Sequence, residues 1–449
     1  MSAGVERPDA CPAPATLALV LGGGGEKPLR RAVVRHLLGG CPDCQEIARQ
    51  TGGFEAQAPA AAALPRLSEI LERLDGVRAE REEEAERAEV LITGFLAHPP
   101  ARQWTLLRNS ARFDFWAFAE QLSTAAFEAI YDDPHRSLEL SRMALELGQR
   151  LDEERYGRAV HDLRGRLLAR LGNAERAVGD LAGAEARLAA ARAELELGTG
   201  DPIEEAELYY FLASLRRGQR RLDEALRLAR RSRRLFRELG DTLREGRAWG
   251  AEGIIHEVAG DLELAIECAR RAIARIDVHR DPRLALAVRH NLLWNLVQTD
   301  RAEEALHELE RLRPRYLELG DRMNLLKLRW MEGRLASRIG QHERAEAILR
   351  EACDGFTAAA IPYEAALVGL DLALLLAGAR RHPEVAALAA ELLGVFRSLG
   401  VPRETIAAWV VFEGAARAHL VDVALVERLA AFMAEARHRP GLSFEAGLS

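Results

Sequence analysis

Between residues 151 and 437, small and apolar residues return at a fixed interval through a charged background. Ala184, Ala225, Ala265, Ala305, Ala345 and Val385 mark one position, with a step of 41 residues once and 40 thereafter. Twelve residues before each marker stand Gly172, Ala213, Gly253, Leu293, Gly333 and Ala373, five of them small. Asp201, Asp241, Asp281 and Asp321 recur at the same interval and suit helix N-caps. Pro202 and Pro282 follow at the first helical position, and Pro362 and Pro402 take over later. Gly240, Gly320 and Gly400 suit the helix stops just before them. The stretch 249–272, WGAEGIIHEVAGDLELAIECARRA, shows the unit: a helix, a tight turn at Gly260-Asp261 and a second helix. A small residue at one point on each first helix lets the second approach closely. Neither helix can bury its apolar stripe alone, so pairs must stack and share a continuous core. The pattern predicts an all-α chain built from 40-residue helix pairs.

These positions resemble the tetratricopeptide repeat family across 151–437. Trp249, Gly253, Ala265 and Ala272 match the family's large-small-small-small pattern, and Gly172, Ala184 and Ala191 match its three small positions. The family unit is nearer about 34 residues, so at 40 both helices should be longer by part of a turn. The resemblance implies a right-handed superhelical α-solenoid of stacked antiparallel pairs, with a protein or peptide held in a concave groove lined by the first helices. It places groove-facing residues 18, 15, 11 and 8 positions before each marker. These are Arg166, Asn173 and Arg176; Glu207, Tyr210, Ser214 and Arg217; Arg247, Ile254 and Glu257; His290 and Trp294; and Lys327, Trp330, Arg334 and Ser337. The early Arg and Asn suit carboxylates or phosphates, and Trp294 and Trp330 suit a pocket for an apolar anchor. Leu367, Leu370, Leu374 and Val410 read as an apolar groove or as a surface buried against the tail. The plain alternative for each Trp is inter-repeat core, and for each Arg ordinary surface.

Ahead of the array, 66–150 reads as a helical lead-in with degenerate repeats. Its first part is strongly charged, with RAEREEEAER at 78–87 suiting i,i+4 pairs on a solvated face. Pro99-Pro100 ends that helix, and Asp133-Pro134 starts another. Phe113, Phe115, Trp116 and Phe118 read as core. Residues 53–65 form an Ala/Pro linker, 1–28 a flexible N-terminus with Gly22-Gly23-Gly24-Gly25, and 438–449 a C-terminal tail. GGGGEKP lacks the Gly-Lys-Ser/Thr ending of a phosphate loop.

Residues 29–52 carry a candidate zinc-binding motif. Two thiolates two residues apart, Cys41 and Cys44, can grip one tetrahedral Zn²⁺ from a single turn, and His36 supplies a third ligand. The segment resembles the zinc-binding anti-sigma-factor family, whose signature is His-x3-Cys-x2-Cys with a fourth His or Cys upstream. One extra residue stands between His36 and Cys41, at Gly39-Gly40. The resemblance implies Cys11 as fourth ligand and one structural zinc; no other cofactor is expected.

A hydrophobic share of 48% supports a large core, and Ala, Leu, Glu and Arg dominate, which favours helix. The net charge of −7 argues against general nucleic-acid binding. The basic run from Arg216 through Arg234 is a local exception, read as a solvated surface paired with Glu224 and nearby carboxylates. Five cysteines form no disulfide framework, and no apolar run is long enough to span a bilayer, so a cytoplasmic protein is expected. No His-Glu-x-x-His, Gly-x-Ser-x-Gly, dinucleotide or kinase signature occurs, so no enzyme is expected. The expected function is a protein-interaction scaffold. The alternatives are a regulator whose zinc motif engages a sigma factor or other partner, and a nucleic-acid binder.

Overall fold

The computed structural model describes residues 11–21, 24–38, 41–51, 64–130, 133–299, 301–319, 322–398, 403–436 and 444. Most of the expected 53–65 linker and 438–449 tail therefore lies outside the described residues, as do Gly22, Gly23, Gly39, Gly40, Gly320, Asp321, Gly400 and Pro402. Among the described residues every regular element is helical.

One compact unit comprises 1–99 with 115–118. It contains α1 (Pro14–Leu21), α2 (Lys27–Leu38), α3 (Pro42–Thr51) and α4 (Leu64–Leu96). The expectation of a flexible 1–28 is corrected at α1, where Leu17 is fully buried and Val20 nearly so. They pack with Val33 and Cys44 into a small core. Pro14 opens α1 instead of breaking it, because the first helical position needs no N–H. Along α4 most of the charged run is exposed, with Arg78 donating to Glu82 at 3.0 Å one turn on, while Arg81 is half-buried and Glu84 buried. Phe95 and Phe118 meet edge to face at 5.4 Å, and both are buried. The expected aromatic core is present.

The second unit comprises 100–114 and 119–449. It begins with α5 (Pro100–Asn109), α6 (Trp116–Ala129), α7 (Pro134–Arg150) and the single turn α8 (Glu153–Tyr156). The array follows as α9 (Ala159–Ala177), α10 (Leu181–Leu197), α11 (Pro202–Gly218), α12 (Leu222–Glu238), α13 (Thr242–Ala259), α14 (Leu262–Ile273), α15 (Pro282–Gln298) and α16 (Ala302–Leu319). It continues through α17 (Arg322–Arg338), α18 (His342–Ala358), α19 (Pro362–Gly378), α20 (His382–Ser398), α21 (Arg403–Arg417) and α22 (Val423–Ala436). Successive first helices begin at Pro202, Thr242, Pro282, Arg322 and Pro362, the 40-residue step read from the sequence. Asp201, Asp241 and Asp281 each accept a backbone N–H from the first turn of the helix they cap. Gly260 closes α13 in the left-handed region at φ 89°.

The spacing has a contact behind it. A Cβ on Gly253 would stand 3.2 Å from Cys268 Cβ and 3.3 Å from the Ala265 carbonyl oxygen. The small residue on α13 therefore sets how near α14 lies, through the marker residue itself. Each first helix packs on its own second helix, and each second helix on the next first helix. First helices also touch one another in series, α9 to α11 to α13 to α15 to α17 to α19, with no comparably close series among the second helices. The layer that packs more tightly has the shorter arc, so the first helices form the concave side. One continuous core runs from Trp249 to Ala436. At its end the series breaks, because α22 packs on α19.

Candidate functional site

The first candidate is the Cys/His cluster. Cys11 precedes α1, His36 sits in the last turn of α2, and Cys41 and Cys44 flank the first turn of α3. One ligand atom from each of the four lies within 4.8 Å of all the others. Cys11 Sγ and Cys41 Sγ are 3.6 Å apart, close to the edge of a tetrahedron with Zn–S of about 2.3 Å. His36 Nε2 is buried with no hydrogen-bond partner among the described residues. An orphaned imidazole nitrogen costs free energy unless something takes it up, and a metal ion does so. The Cys44 backbone N–H and the neighbouring thiols pull Cys41 down to about 7, whereas burial pushes Cys44 up to about 12. Gln45 donates from Nε2 to the Leu37 carbonyl at 3.1 Å, tying α3 to α2. The four residues are compatible with one Zn²⁺.

The second candidate is the concave face of the array. Several residues expected to face a partner are already held by the protein. Arg166 donates to Glu204, with Nη2 to Oε1 at 2.6 Å, and also to Glu120. Asn173 is buried and accepts from Arg176 at 2.9 and 3.0 Å. Glu257 accepts from Asn295 at 3.4 Å, and burial pushes its carboxyl up. Tyr210 meets Phe211 edge to face. The expectation for His290 is corrected. Its Nδ1 lies 2.5 Å from the Tyr316 hydroxyl on α16, behind the first-helix layer, and burial pulls it down to about 4. Trp330 is corrected in part: it is 7% exposed, belongs to the continuous core, and donates from Nε1 to Asp371 at 2.6 Å. Lys327 is half-buried, and its charge acts on His290.

Other residues converge on open space. Trp294, Trp330, Arg334, Ser337, Leu367, Leu370 and Leu374 line a cavity of about 930 Å³ shared by α15, α17, α18, α19 and α22. Half-buried Trp294 meets Trp330 edge to face at 5.1 Å, and the Arg334 guanidinium lies 4.5 Å from its indole centroid. Arg334 also approaches Asp371 at 3.5 Å. The lining is mainly apolar, with charged side chains among it: the Arg334–Asp371 pair, the Arg381–Glu346 pair at 2.6 Å, and Arg338, Glu343 and Glu427. Asp371 was not marked by the repeat arithmetic, although it falls one residue past the Leu370 groove position. Near the array's start, Arg247 lies 5.3 Å from the Phe127 centroid and 5.9 Å from that of Tyr210. Arg217 is half-buried, has no ion pair among the described residues, and feels Glu257 only through space. Phe127 and Arg170 were also missed. Phe127 precedes the array, and Arg170 is one turn past Arg166, a spacing that could have flagged it.

The basic run is paired in part: Arg217, Arg220, Arg227 and Arg234 have no ion pair among the described residues, and the others do. Arg216 pairs with Glu224 at 2.9 Å and with Glu185, Arg230 and Arg233 both hold Glu252, and Arg231 holds Glu205. That is, in part, the paired surface expected from the sequence.

No known protein family and no curated protein matches this sequence. Solved structures do match the fold. A Rap protein complexed with competence and sporulation factor superposes with a TM-score of 0.53 at 10% identity, over 71% of this chain and 87% of that one. A STAND-type signal transduction ATPase with a tetratricopeptide repeat sensor, from Pyrococcus horikoshii, gives 0.51 at 12% identity. That match covers 71% of this chain and 47% of the ATPase. The chain thus has a helical-repeat α-solenoid fold of tetratricopeptide-like type. No helix among the described residues is long and apolar enough to cross a membrane.

Proposed function

We propose that this chain is a non-enzymatic interaction scaffold that holds a protein or peptide segment along the concave face of its array. The observation that carries this reading is the cavity at Trp294 and Trp330. It is about 930 Å³ and mainly apolar, with the Arg334–Asp371 and Arg381–Glu346 pairs among its lining, an arrangement that accepts an aromatic or aliphatic anchor. A neighbour of similar fold is complexed with a factor, which supports the reading by analogy only. The test is selection of randomised octapeptides displayed on phage against the full chain. We expect an enriched consensus with a fixed apolar position. Its affinity should fall about tenfold or more in Trp294→Ala and stay unchanged in Arg234→Ala, an exposed position on α12. A selection without consensus, or a consensus indifferent to Trp294, would overturn the reading.

A second reading rests on the Cys11, His36, Cys41 and Cys44 cluster. A zinc-holding module similar to that of anti-sigma factors would make the chain a regulator in which the module engages a sigma factor or another partner. Elemental analysis of protein purified without added metal should give about one zinc per chain, absent from Cys41→Ser/Cys44→Ser. If the partner is a sigma factor, it should co-purify with the native chain and be lost with the same two changes.

A further inference from the structure

Arginines on the inner layer fall into two groups. Arg166 is committed to Glu204 and Glu120, and Arg244 to Glu207 at 3.0 Å and Asp241 at 2.7 Å. Arg170 and Arg247 have no ion pair among the described residues. Arg170 donates only to neutral hydroxyls, Ser123 at 3.1 Å and Thr124 at 3.4 Å. Its Nε is wholly buried without an acceptor. Its guanidinium lies 5.5 Å from the centroid of Phe127, the ring that Arg247 also approaches at 5.3 Å. Two cations therefore share one aromatic ring. Burial and the nearby Arg166 and Arg247 pull Arg170 below its ordinary value, although Glu207 and Glu204 oppose this. Glu207 feels Arg170, Arg247, Arg244 and Arg166 together, yet its direct pair is Arg244. Thr124 is exposed, and Phe127, Arg170, Tyr210 and Arg247 are half-buried, so the site reaches solvent at its edge.

We infer that Arg170 and Arg247, beside Phe127 and Tyr210, form an anchor for a carboxylate side chain of an acidic peptide. The inference rests on the scaffold reading and names the partner's chemistry. A carboxylate offers two coplanar acceptor oxygens, which suit guanidinium donors such as those of Arg170 and the unpaired Arg247. Guanidiniums already placed over an aromatic ring are pre-organised, so less freedom is lost on binding. Glu120, Glu204 and Glu207 stand close by. Their charge suits a monoanion better than a phosphate dianion, which they would repel more strongly. The anchor sits on α6, α9, α11 and α13, whereas the apolar cavity lies further along the same concave layer. The partner is therefore an extended segment with an acidic residue and, apart from it, an apolar one.

The probe is a set of labelled octapeptide pools in which one position is fixed as Glu, Gln, phosphoserine or Lys. Each pool is titrated against the full chain and against Arg170→Gln/Arg247→Gln. We expect the Glu pool to bind about tenfold tighter than the Gln pool at one position. That preference should disappear in the double variant while the apolar preference and Tm persist. A single Arg247→Lys variant, which keeps the charge and loses the planar fork, should show an intermediate preference. Equal binding of Glu and Gln pools, or a Glu preference that survives the double variant, overturns the anchor and leaves the scaffold standing. Tighter binding of phosphoserine than Glu overturns the carboxylate assignment. Failure of every pool overturns the anchor and the scaffold together.

Discussion

At the scale of single residues, His290 gives the array a defined acid response. Its imidazole titrates near 6.5 when unfolded and about 4 when folded, because burial and the nearby Lys327 disfavour the charged form. The unfolded chain thus binds the proton first as pH falls. Stability is fully present above about 6.5, declines through the window down to about 4, and levels off below it. Urea melts across that range should show a loss of up to about 1.4 kcal/mol per pH unit, flattened in His290→Gln. Gly253 is a steric test. Gly253→Leu forces a side chain where even a Cβ meets Ala265 O at 3.3 Å, and should cost about 1–3 kcal/mol. Trp249 is 6% exposed beneath the Arg233 guanidinium at 3.8 Å, and Trp249→Ala should cost about 3–5 kcal/mol. Trp330→Ala should cost about as much, since that ring is equally buried. Half-buried Trp294 is the cleaner probe of the cavity.

Among elements, α1–α3 share a small core of their own. Among the described residues its buried members are Leu17, Val20, Val33 and Cys44, with Cys11, Leu21, Leu37, Cys41 and Ile47 packed against them, little apolar burial for three short helices. Metal binding would then supply most of its folding free energy. Hydrogen exchange should show α1–α3 losing protection in Cys41→Ser/Cys44→Ser, or on chelation, while α13–α14 stay unchanged. Equal protection with and without the ligands would mean that the helices stand without metal.

What could be read from the sequence divides along the same physical line. Local constraints were legible. Gly253, Ala265 and their equivalents show the helix pairs because close approach demands small residues, and the short Cys41–Cys44 spacing shows the cluster because one turn sets it. Long-range pairing was not. Nothing in the spacing shows that Arg166 is taken by Glu204, that His290 turns back to Tyr316, or that Phe127 stands beside Arg170. Those depend on how neighbouring pairs are rotated against one another, which a single repeat does not encode. The Leu367–Leu374 surface, read as an apolar groove or as buried against the tail, lines the cavity together with α22.

Taken as a whole, the array is held by neighbour contacts from α9 to α20, so its stability is close to a sum of unit and interface terms. Interior pairs have two neighbours and end pairs one. Native-state hydrogen exchange should therefore rank α13–α14 and α15–α16 as most protected, with α21–α22 exchanging sooner. Uniform exchange along the array would instead require one cooperative block.

The series of contacts along the inner layer also has a mechanical meaning. First helices touch in sequence, bridged by pairs such as Arg166–Glu204 and Arg244–Glu207. Bending therefore concentrates in the thin seams between them, as in a coil spring whose inner turns nearly meet. A segment gripped near Arg170 at one end and by Trp294 at the other would act as a strut across that spring. It would fix the coil's pitch without altering a single repeat, and the far surface of the second helices would register the load.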